Sequence, residues 1–383
     1  MRKLNSGMWV VMVIVCCLLS LAQPKPRARD LGVPFDGNPG PLNAITDVKG
    51  VEVGNTTLIS GDGVLKVGVG PVRTGVTAVL PRGRSSMDPV FAGFFSLNGN
   101  GEMTGIHWVD DSGFLDGPIL ITNTHSVGVV RDAAIAWRIR RWPPDEEGYF
   151  WSLPVVAETA DDELNDMNGF HVKPEDVFHA LDSAHGGPLE EGNVGGGTGM
   201  ICNEFKGGIG TASRVLDGNF GGYTVGVLVQ CNGGWRSQLR IAGVPVGREI
   251  TAHPVRDDDI GSIIVVVATD APMIPTQLRR IAKRVTLGLG RIGSFSGDGA
   301  GDLFIAFSTA NPGAWKGKGL HQVTMLTNRS LNPIFLATVQ ATEEAVVNAM
   351  IAAETMTGIN GHIVFALPHN QLREVLKKYN RLK

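Results

Sequence analysis

The sequence predicts a layered α/β or α+β fold in which helices cover β-sheets. Short runs of β-branched and other apolar residues, broken by glycines, are interspersed with longer segments of helical character. The two kinds of segment mix without a strict strand-helix-strand rhythm, and the chain has no internal repeat. About 360 residues would remain after a predicted leader, more than a typical single core holds. The chain therefore needs either two domains or one domain with several layers.

The predicted strands are short apolar runs whose length and β-branched content are typical of buried strands. The run at residues 263–267 is Ile-Ile-Val-Val-Val, the most strongly strand-like segment after the leader. In chain order the predicted strands are residues 76–80, 90–97, 119–122, 153–157, 223–229, 263–268 and 303–307.

The predicted helices are segments in which apolar residues recur at helical spacing. In the third of them the apolar residues fall at i, i+3, i+4, i+7 and i+11, while the basic residues lie elsewhere around the helix. One face should pack against the core and the basic face should meet water. The predicted helices are residues 127–142, 175–185, 275–289, 341–357 and 370–379.

The N-terminus has the layout of a secretory signal peptide, residues 1–22. Arg2 and Lys3 precede an uncharged apolar run at residues 8–21, and small residues follow. That run is short for a membrane span, which needs roughly 20 residues, although an uncleaved anchor is the alternative. The prediction is export to the periplasm or the extracellular space, with residues 23–41, rich in Pro, Arg and Gly, as an extended arm.

Charge and cysteine content exclude some function classes. Loss of Arg2 and Lys3 with the leader changes the formal charge from −3 to −5, and an acidic surface is unsuited to tracking a phosphate backbone, so nucleic acid is excluded as a partner. Cys202 and Cys231 remain after the leader. They either form a disulfide in an oxidising compartment or stay as buried thiols.

The familiar catalytic and ligand-binding motifs are absent from this sequence. It has no G-x-S-x-G and no H-E-x-x-H, and the histidines lack metal-ligand spacing, so neither a metal nor an organic cofactor is predicted. The glycine-rich stretch GNVGGGTGM at residues 192–200 lacks the features of a P-loop or a dinucleotide fingerprint. It is interpreted as a crowded loop near a site or an interface.

The junction between Gly261 and Ser262 is where a polar segment, RDDDIG, meets the strongest predicted strand. A turn entering a buried strand is the ordinary explanation. Self-cleavage is the other: the serine hydroxyl attacks the preceding carbonyl carbon, the acyl group moves from nitrogen to oxygen, and water hydrolyses the ester. The freed α-amine of Ser262 titrates near ~7.7–8 and can act as base for its own hydroxyl. Gly261 places no Cβ on the distorted peptide.

Seven stretches, in this order, carry a resemblance to a known family: GPLNAITDVKGVEVG, VFAGFFSLNGNGEMTG, ITNTHSVGVVRDA, ALDSAHGGPLEEGNVGGGTGMIC, EFKGGIGTASR, GSIIVVVATDAP and FSTANPG. From about residue 32 to residue 372 the chain resembles the DmpA/BapA family of self-processing aminopeptidases. The resemblance implies a four-layer αββα sandwich, like that of N-terminal-nucleophile hydrolases but differently connected. It also implies one catalytic domain, residues 42–383, cut into chains 23–261 and 262–383 that stay together, usually as a homo-oligomer, a tetramer of such pairs.

The resemblance also implies roles for four residues. Ser262 is the expected nucleophile, with cleavage after Gly261. Asn232, in VLVQCNGG, matches an asparagine that helps to form the oxyanion hole, where an amide donor suits a developing negative charge. Glu158, in VVAET, matches the carboxylate that pairs with the free amine of the substrate. Asp302 matches an acid close to the attacking hydroxyl.

Two residues depart from the family pattern. Ala160 stands where relatives commonly have a tyrosine, and Ala300 stands where they have a serine, so two hydroxyl groups of the site are missing. Where such a group donates to an oxyanion, its loss costs ~10²–10³ in rate. Their effect on the activity is left open by the sequence.

The predicted function is a self-processing aminopeptidase or amidase. It would remove N-terminal residues from short peptides, amides or esters through an acyl-enzyme on Ser262. The main alternative is a processed but catalytically weak protein that binds amine-bearing ligands or has a structural role, for which Ala160 and Ala300 are the evidence. A third candidate, acyl transfer of the ornithine acetyltransferase kind, normally uses threonine at the new terminus. The preference among L-, D- and β-aminoacyl groups is left open.

Overall fold

The computed structural model describes residues 25–142, 146, 148, 150–253 and 261–382, so the predicted leader lies outside the described residues. In chain order the strands are β1 Glu52–Ser60, β2 Val72–Leu80, β3 Val90–Gly99, β4 Phe114–Leu115, β5 Ile119–Asn123, β6 Val155–Thr159, β7 Ile201–Cys202, β8 Phe205–Lys206, β9 Gly208–Val215, β10 Thr224–Cys231, β11 Ser262–Thr269, β12 Gly301–Ser308, β13 Met356–Thr357 and β14 Ile363–Val364. The helices are α1 Ile106–Ser112, α2 Val127–Arg141, α3 Pro174–Asp182, α4 Val246–Glu249, α5 Pro275–Arg291, α6 Asn332–Ile351 and α7 His369–Lys378.

Two main sheets form the centre of the molecule. The first has four strands in the order β1-β2-β5-β6, and the second has six in the order β4-β3-β12-β11-β10-β9. Within them β5 pairs with β6 and β11 with β12 in parallel, and the other neighbours are antiparallel. Mixed pairing of this kind fits the predicted absence of a regular βαβ rhythm.

The buried side chains divide into three main cores between four layers. One core fills the space between the two sheets, with Ile121 and Val155 from one sheet facing Ile264 and Ile305 from the other. A second lies between the four-stranded sheet and helices α2 and α3. The third lies between the six-stranded sheet and helices α5 and α6. The order helix, sheet, sheet, helix confirms the predicted αββα sandwich.

The arm that precedes the first strand is docked onto the core rather than simply extended. Its residues 28–32 form turns, and Ala28 is fully buried, with its N–H donating to Asn348 of α6 at 3.0 Å. Arg29 contacts both carboxylate oxygens of Glu344 at 2.8 Å. The arm therefore ties residues before the first strand to the long helix near the other end of the chain.

The predicted strands and helices are present, and the main errors concern boundaries and omissions. Helix α6 begins nine residues before the predicted residue 341, since Pro333 fits the first turn of a helix. It ends at Ile351, and Thr357, which was predicted to be helical, lies in β13. Strands β1 and β9 were not predicted because both are polar or glycine-rich, and their pairing with neighbouring strands decides their conformation.

Helix α6 is also long and apolar enough to cross a membrane by length and composition alone. However, 83% of its most apolar window is buried within the protein, so it is a core helix. Its apolar residues pack against β9 and β10 in the third core. The composition of α6 reflects its position in the outer helical layer, covered on most of its surface.

The two cysteines in the described part of the chain form a disulfide. Cys202, in β7, and Cys231, the last residue of β10, are bonded, with their Cα atoms 5.7 Å apart. Both are almost fully buried. The sequence left open whether these cysteines form a disulfide or remain as buried thiols, and the structure shows the disulfide.

Candidate active site

A cleft of about 410 Å³ lies where the parallel strand β6 ends and the parallel strand β11 begins, one strand from each sheet. Its wall contains Glu158, Asn232, Gly261 and Ser262, which are four of the five residues predicted for the site and the cleavage junction. These residues are far apart in the sequence. The face-to-face packing of the two sheets brings these residues together.

Ser262 is the first residue of β11 and is half-buried. Its Oγ accepts a hydrogen bond from the Gly301 N–H at 3.0 Å, and its carbonyl oxygen accepts one from the Asn232 N–H at 3.1 Å. A Cβ at Gly301 would lie only 3.0 Å from Oγ and 2.3 Å from the Asn100 carbonyl oxygen. Glycine at 301 therefore keeps the hydroxyl open while its N–H holds the oxygen in place.

The peptide before Ser262 runs very close to another backbone segment. A Cβ at Gly261 would lie 2.0 Å from the Cα of Gly233, and one at Gly233 would lie 2.6 Å from the Cα of Gly261. Gly233 also has a positive φ of 104°, which favours glycine. Both residues must be glycine for the two backbone segments to lie this close. Packing therefore requires glycine at 261, in addition to the conformational freedom that it gives to the peptide at the cleavage junction.

Glu158 lies near the end of β6 and is only 3% exposed. One carboxylate oxygen accepts from the Glu102 N–H at 2.8 Å, and the other accepts a short hydrogen bond from the Thr124 hydroxyl. Burial raises the pKa of Glu158, and the hydrogen bonds from Thr124 and from Glu102 offset part of that rise. A fixed, poorly solvated carboxylate is a strong counter-charge for an ammonium group that enters the cleft.

Asn232 follows β10 and has its amide plane fixed by two hydrogen bonds. Its Oδ1 accepts from the Ile201 N–H at 2.8 Å, and its Nδ2 donates to the Ala160 carbonyl oxygen at 3.0 Å. An amide nitrogen has two hydrogens, so the second is available to a group in the cleft. This arrangement suits the predicted oxyanion donor. Ala160 contributes its backbone carbonyl oxygen to it, although its side chain lacks the hydroxyl that the family resemblance implied.

Asp302 is not part of the cleft wall. It lies beside Ile263 rather than Ser262 in the parallel pairing of β12 with β11, so its side chain and that of Ser262 point to opposite faces of the sheet. It is 4% exposed and, together with Ala300 and Leu289, lines a small cavity on the helical side that shares Asn232 and Gly261 with the cleft wall. The register therefore places the Asp302 side chain on the face of the sheet opposite that of Ser262, which sequence spacing does not reveal.

Several residues of the site were not singled out from the sequence. Thr124 and the backbone of Glu102 hold Glu158, and both lie in long stretches that carried the family resemblance. Asp161 is fully buried at the edge of the cleft, where Asn165 donates to it at 2.9 Å. Burial raises the pKa of Asp161 to about 7, although nearby Thr74, Asn165 and Asn123 lower it. The signal in the sequence that could have identified these residues is the presence of polar side chains directly after β5 and β6.

The glycine-rich stretch at residues 192–200 is crowded, as predicted. A Cβ at Gly196 would lie 2.2 Å from Gln230 Oε1, and one at Gly199 would lie 2.3 Å from the Arg73 carbonyl oxygen. Gly199 lines the cleft. The stretch thus serves close packing beside the site.

The charge of the cleft is strongly acidic. Six carboxyl groups border it, and none of its wall residues within the described ranges is Lys, Arg or His. The described residues also contain no group of three or more His, Cys, Asp or Glu side chains that could hold a metal ion. A cleft of this charge attracts ammonium groups, and its hydroxyl, amide donor and buried carboxylate are suited to acyl transfer from a substrate with a free amine.

Comparison with known proteins identifies the family. Residues 43–364 match the model of peptidase family S58. The beta-peptidyl aminopeptidase BapA of Sphingosinicella microcystinivorans is 56% identical over 375 residues, covering 93% of each chain. The structure of an L-aminopeptidase D-Ala-esterase/amidase from Ochrobactrum anthropi, described as a variant of the Ntn hydrolase fold, superposes with a TM-score of 0.88 at 50% identity and covers 94% of this chain and 100% of the other.

A Burkholderia beta-aminopeptidase structure is also similar, with a TM-score of 0.85 and 45% identity over 92% of this chain and 99% of the other. The similarity to enzymes extends over nearly the whole chain, and it does not favour the alternative of a weakly catalytic binding or structural protein. Peptides and amides are the substrates that such an activity implies. This chain belongs to peptidase family S58 and is an aminopeptidase.

Proposed function

We propose that this aminopeptidase cuts its own chain between Gly261 and Ser262 and then uses Ser262 as its N-terminal nucleophile. The observation that carries the proposal is the position of Ser262: it starts β11 inside the cleft, and its Oγ is held by the Gly301 N–H at 3.0 Å. Cleavage at this point releases an α-amine on the same residue as the hydroxyl. An amine that titrates near ~7.7–8 can take the hydroxyl proton at neutral pH.

The steps of the reaction follow from the positions of the groups. For maturation, Oγ of Ser262 bonds to the carbonyl carbon of Gly261, the C–N bond breaks, the nitrogen takes the hydroxyl proton, and water then hydrolyses the ester. In turnover, Glu158 binds the ammonium of the substrate, Oγ attacks the first carbonyl carbon, and the second Nδ2 hydrogen of Asn232 donates to the oxyanion. The leaving amine takes a proton from the Ser262 ammonium, and water releases the acyl group.

Denaturing electrophoresis with N-terminal sequencing tests the cleavage. We expect two bands, of which the smaller begins Ser-Ile-Ile-Val, and a single band for Ser262→Ala. Release of p-nitroaniline from aminoacyl p-nitroanilides should be lost in the same variant. An active wild-type protein that runs as one chain through residue 262, or a Ser262→Ala variant that retains full activity, would show the proposal to be wrong.

The proposed substrates are short peptides, amides or esters whose first residue is a β-amino acid. The support is the 56% identity to a beta-peptidyl aminopeptidase and the similarity to a beta-aminopeptidase. Against it stands the L-aminopeptidase activity named for a structure that is 50% identical. The test compares p-nitroanilides of β-homoalanine, L-alanine and D-alanine. A higher kcat/KM for the β compound supports the proposal, and a clear preference for L-alanine contradicts it.

Export and assembly are part of the same proposal. The signal-like segment at residues 1–22 supports delivery to the periplasm or the extracellular space, and a disulfide persists in such oxidising compartments. We propose a tetramer of processed pairs as the assembled enzyme. Cell fractionation of a tagged full chain tests the location, and light scattering of the purified enzyme tests the assembly; a cytoplasmic product or a single processed pair would contradict the respective part.

A further inference from the structure

The Cys202–Cys231 disulfide lies directly beside the proposed oxyanion donor. Cys231 precedes Asn232 in the chain, and Cys202 follows Ile201, whose N–H donates to Asn232 Oδ1 at 2.8 Å. The bond therefore joins the two segments that determine where the Asn232 side chain lies. Both cysteines line the small cavity behind Gly261, and neither belongs to the wall of the cleft.

The segment that carries Cys202 is a tight hairpin at the rim of the cleft. Strands β7 and β8 are joined by Asn203 and Glu204, both with positive φ, of 48° and 59°. Two such residues form the connection of a short hairpin, a conformation that is unfavourable for residues other than glycine. Arg236 also holds this hairpin, since its side chain donates to the carbonyl oxygens of Asn203 and Glu204. The disulfide is the covalent link between the hairpin and β10.

Hydrogen bonds continue the link that the disulfide makes. The Gly233 N–H donates to the Ile201 carbonyl oxygen at 2.5 Å, and the Asn203 N–H donates to the Gly233 carbonyl oxygen at 2.8 Å. Gly233 in turn packs against Gly261 with no room for a Cβ on either residue. The disulfide, Asn232 and the cleavage junction thus form one continuous packed unit.

The disulfide does not hold the processed enzyme together. Both cysteines precede Gly261, so after cleavage they belong to the same chain. Its effect is therefore local to the segments it joins.

We propose that the Cys202–Cys231 disulfide is a positioning element for Asn232, which fixes the amide donor where the oxyanion develops. The proposal rests on the proposed function, because it assumes that Asn232 contacts the oxyanion. A donor that is displaced by a fraction of an ångström loses much of its effect on the transition state. Glu158, which binds the substrate amine, lies on β6 and is held by other residues.

The first test is the double variant Cys202→Ala/Cys231→Ala, assayed as processed enzyme. We expect kcat to fall by about 10-fold or more while KM changes by less than about twofold, since the oxyanion donor acts on the transition state and the amine site is untouched. Val229→Ala is the matched control, because Val229 is fully buried on the same face of β10 but does not adjoin Asn232. It should lower Tm without lowering kcat.

The second test separates positioning from a general structural effect. In an Asn232→Ala background, removal of the disulfide should cause little further loss of kcat, because the donor that it positions is already absent. Equal losses with and without Asn232 would overturn the proposal, as would an unchanged kcat in the double cysteine variant. An Asn232→Ala enzyme with wild-type kcat would overturn it too, whereas Ser262 dependence of the activity tests the proposed function separately.

Discussion

At the scale of single residues, the site consists of side chains whose partners are fixed before any substrate arrives. Glu158 accepts from Thr124 and from the Glu102 amide, Asn232 is held by Ile201 and Ala160, and the Ser262 hydroxyl accepts from Gly301. Such preorganisation avoids reorganisation in the transition state. Removal of one of these groups should thus affect one kinetic step more than the others.

Substitution of Glu158 tests the amine site. Glu158→Gln keeps the shape but removes the charge that pairs with the substrate ammonium, a hydrogen bond to a charged group worth about 1.5–3 kcal/mol. We expect KM to rise roughly 10- to 100-fold, with a smaller change in kcat. Thr124→Val, which removes one hydrogen bond to Glu158 but leaves its charge, is the control and should have a smaller effect on KM. An unchanged KM in Glu158→Gln would contradict the assignment.

The pH dependence of KM provides a second check on Glu158. Burial raises the pKa of this carboxyl group, so it loses its charge at a higher pH than an exposed glutamate does. As pH falls through that raised pKa, the ammonium loses its partner and KM should rise. The Glu158→Gln variant should lack this acid limb in steady-state kinetics; if the limb persists in the variant, another group causes it.

Asp161 should make the fold less stable as pH increases. Burial raises its pKa to about 7 from an ordinary value of 3.8. Between these two values the folded chain binds a proton that the unfolded chain does not, so stability falls as pH rises until the folded pKa is passed. Asp161→Asn removes this effect and keeps an acceptor for Asn165. The free energy of unfolding of Asp161→Asn, relative to that of the wild type, should increase by roughly 2–3 kcal/mol from pH 5 to pH 8.

Thermal unfolding at both pH values measures this difference. The control is Asp162→Asn, which makes the same change of side chain at the next residue, where the side chain is exposed. If the wild type and Asp161→Asn have the same pH dependence of Tm, the buried carboxyl group is not responsible for it.

At the scale of elements, close backbone contact sets the distance between layers. Helix α6 lies so near β9 that a Cβ at Gly210 would be 2.0 Å from the Ala345 carbonyl oxygen and 2.6 Å from the Ala349 N. Gly210 in β9 is thus needed because a side chain there would clash with α6, not because the backbone turns at this residue. This explains why a strand of low β-propensity, GIGTASRV, nevertheless forms in the sheet.

Gly210→Ala tests this contact. The added methyl group would force α6 away from the sheet, so we expect a loss of about 1–3 kcal/mol or more in the free energy of unfolding. The matched control is Gly290→Ala in α5, where a Cβ meets nothing within 4 Å and φ is not positive. That change should be neutral or stabilising by roughly 0.5–1 kcal/mol. Equal effects of the two substitutions on Tm would contradict the explanation.

At the scale of the whole molecule, buried ion pairs connect the two segments that self-cleavage would separate. Glu344 of α6 is fully buried and is contacted by Arg29 of the arm at 2.8 Å and by Arg214 of β9 at 2.7 Å. Burial alone would raise the pKa of Glu344, but the hydrogen bond from Arg29 and the charges of Arg214 and Arg29 hold it below its ordinary value. These contacts are independent of the bond between Gly261 and Ser262.

Loss of the Glu344 charge should destabilise this connection. Glu344→Gln leaves two arginines without their buried counter-charge, which costs about 3–5 kcal/mol. Lys25→Ala is the control, because its ion pair with Glu354 is exposed and is worth about 0–1 kcal/mol. Thermal unfolding and gel filtration of the processed protein measure the effects. A Tm for Glu344→Gln equal to that of Lys25→Ala would contradict this role.

The sequence by itself determined the alternation of strands and helices, the layered class and, through long matching stretches, the family. These are local properties: the spacing of apolar residues in 275–289 and the β-branched run at 263–267 depend on near neighbours only. The family resemblance also pointed to Ser262, Asn232 and Glu158. All three line the cleft.

Only the tertiary structure decided which side chains meet. Asp302 lies on the opposite face of the sheet from Ser262. Residue 261 must be glycine because Gly233 packs against it. Cys202 is bonded to Cys231 beside Asn232. Each of these facts depends on strand register or on the approach of segments distant in the chain. The pattern within one strand does not identify its partner strand, and a shift of one residue in the pairing would move every side chain to the other face of the sheet.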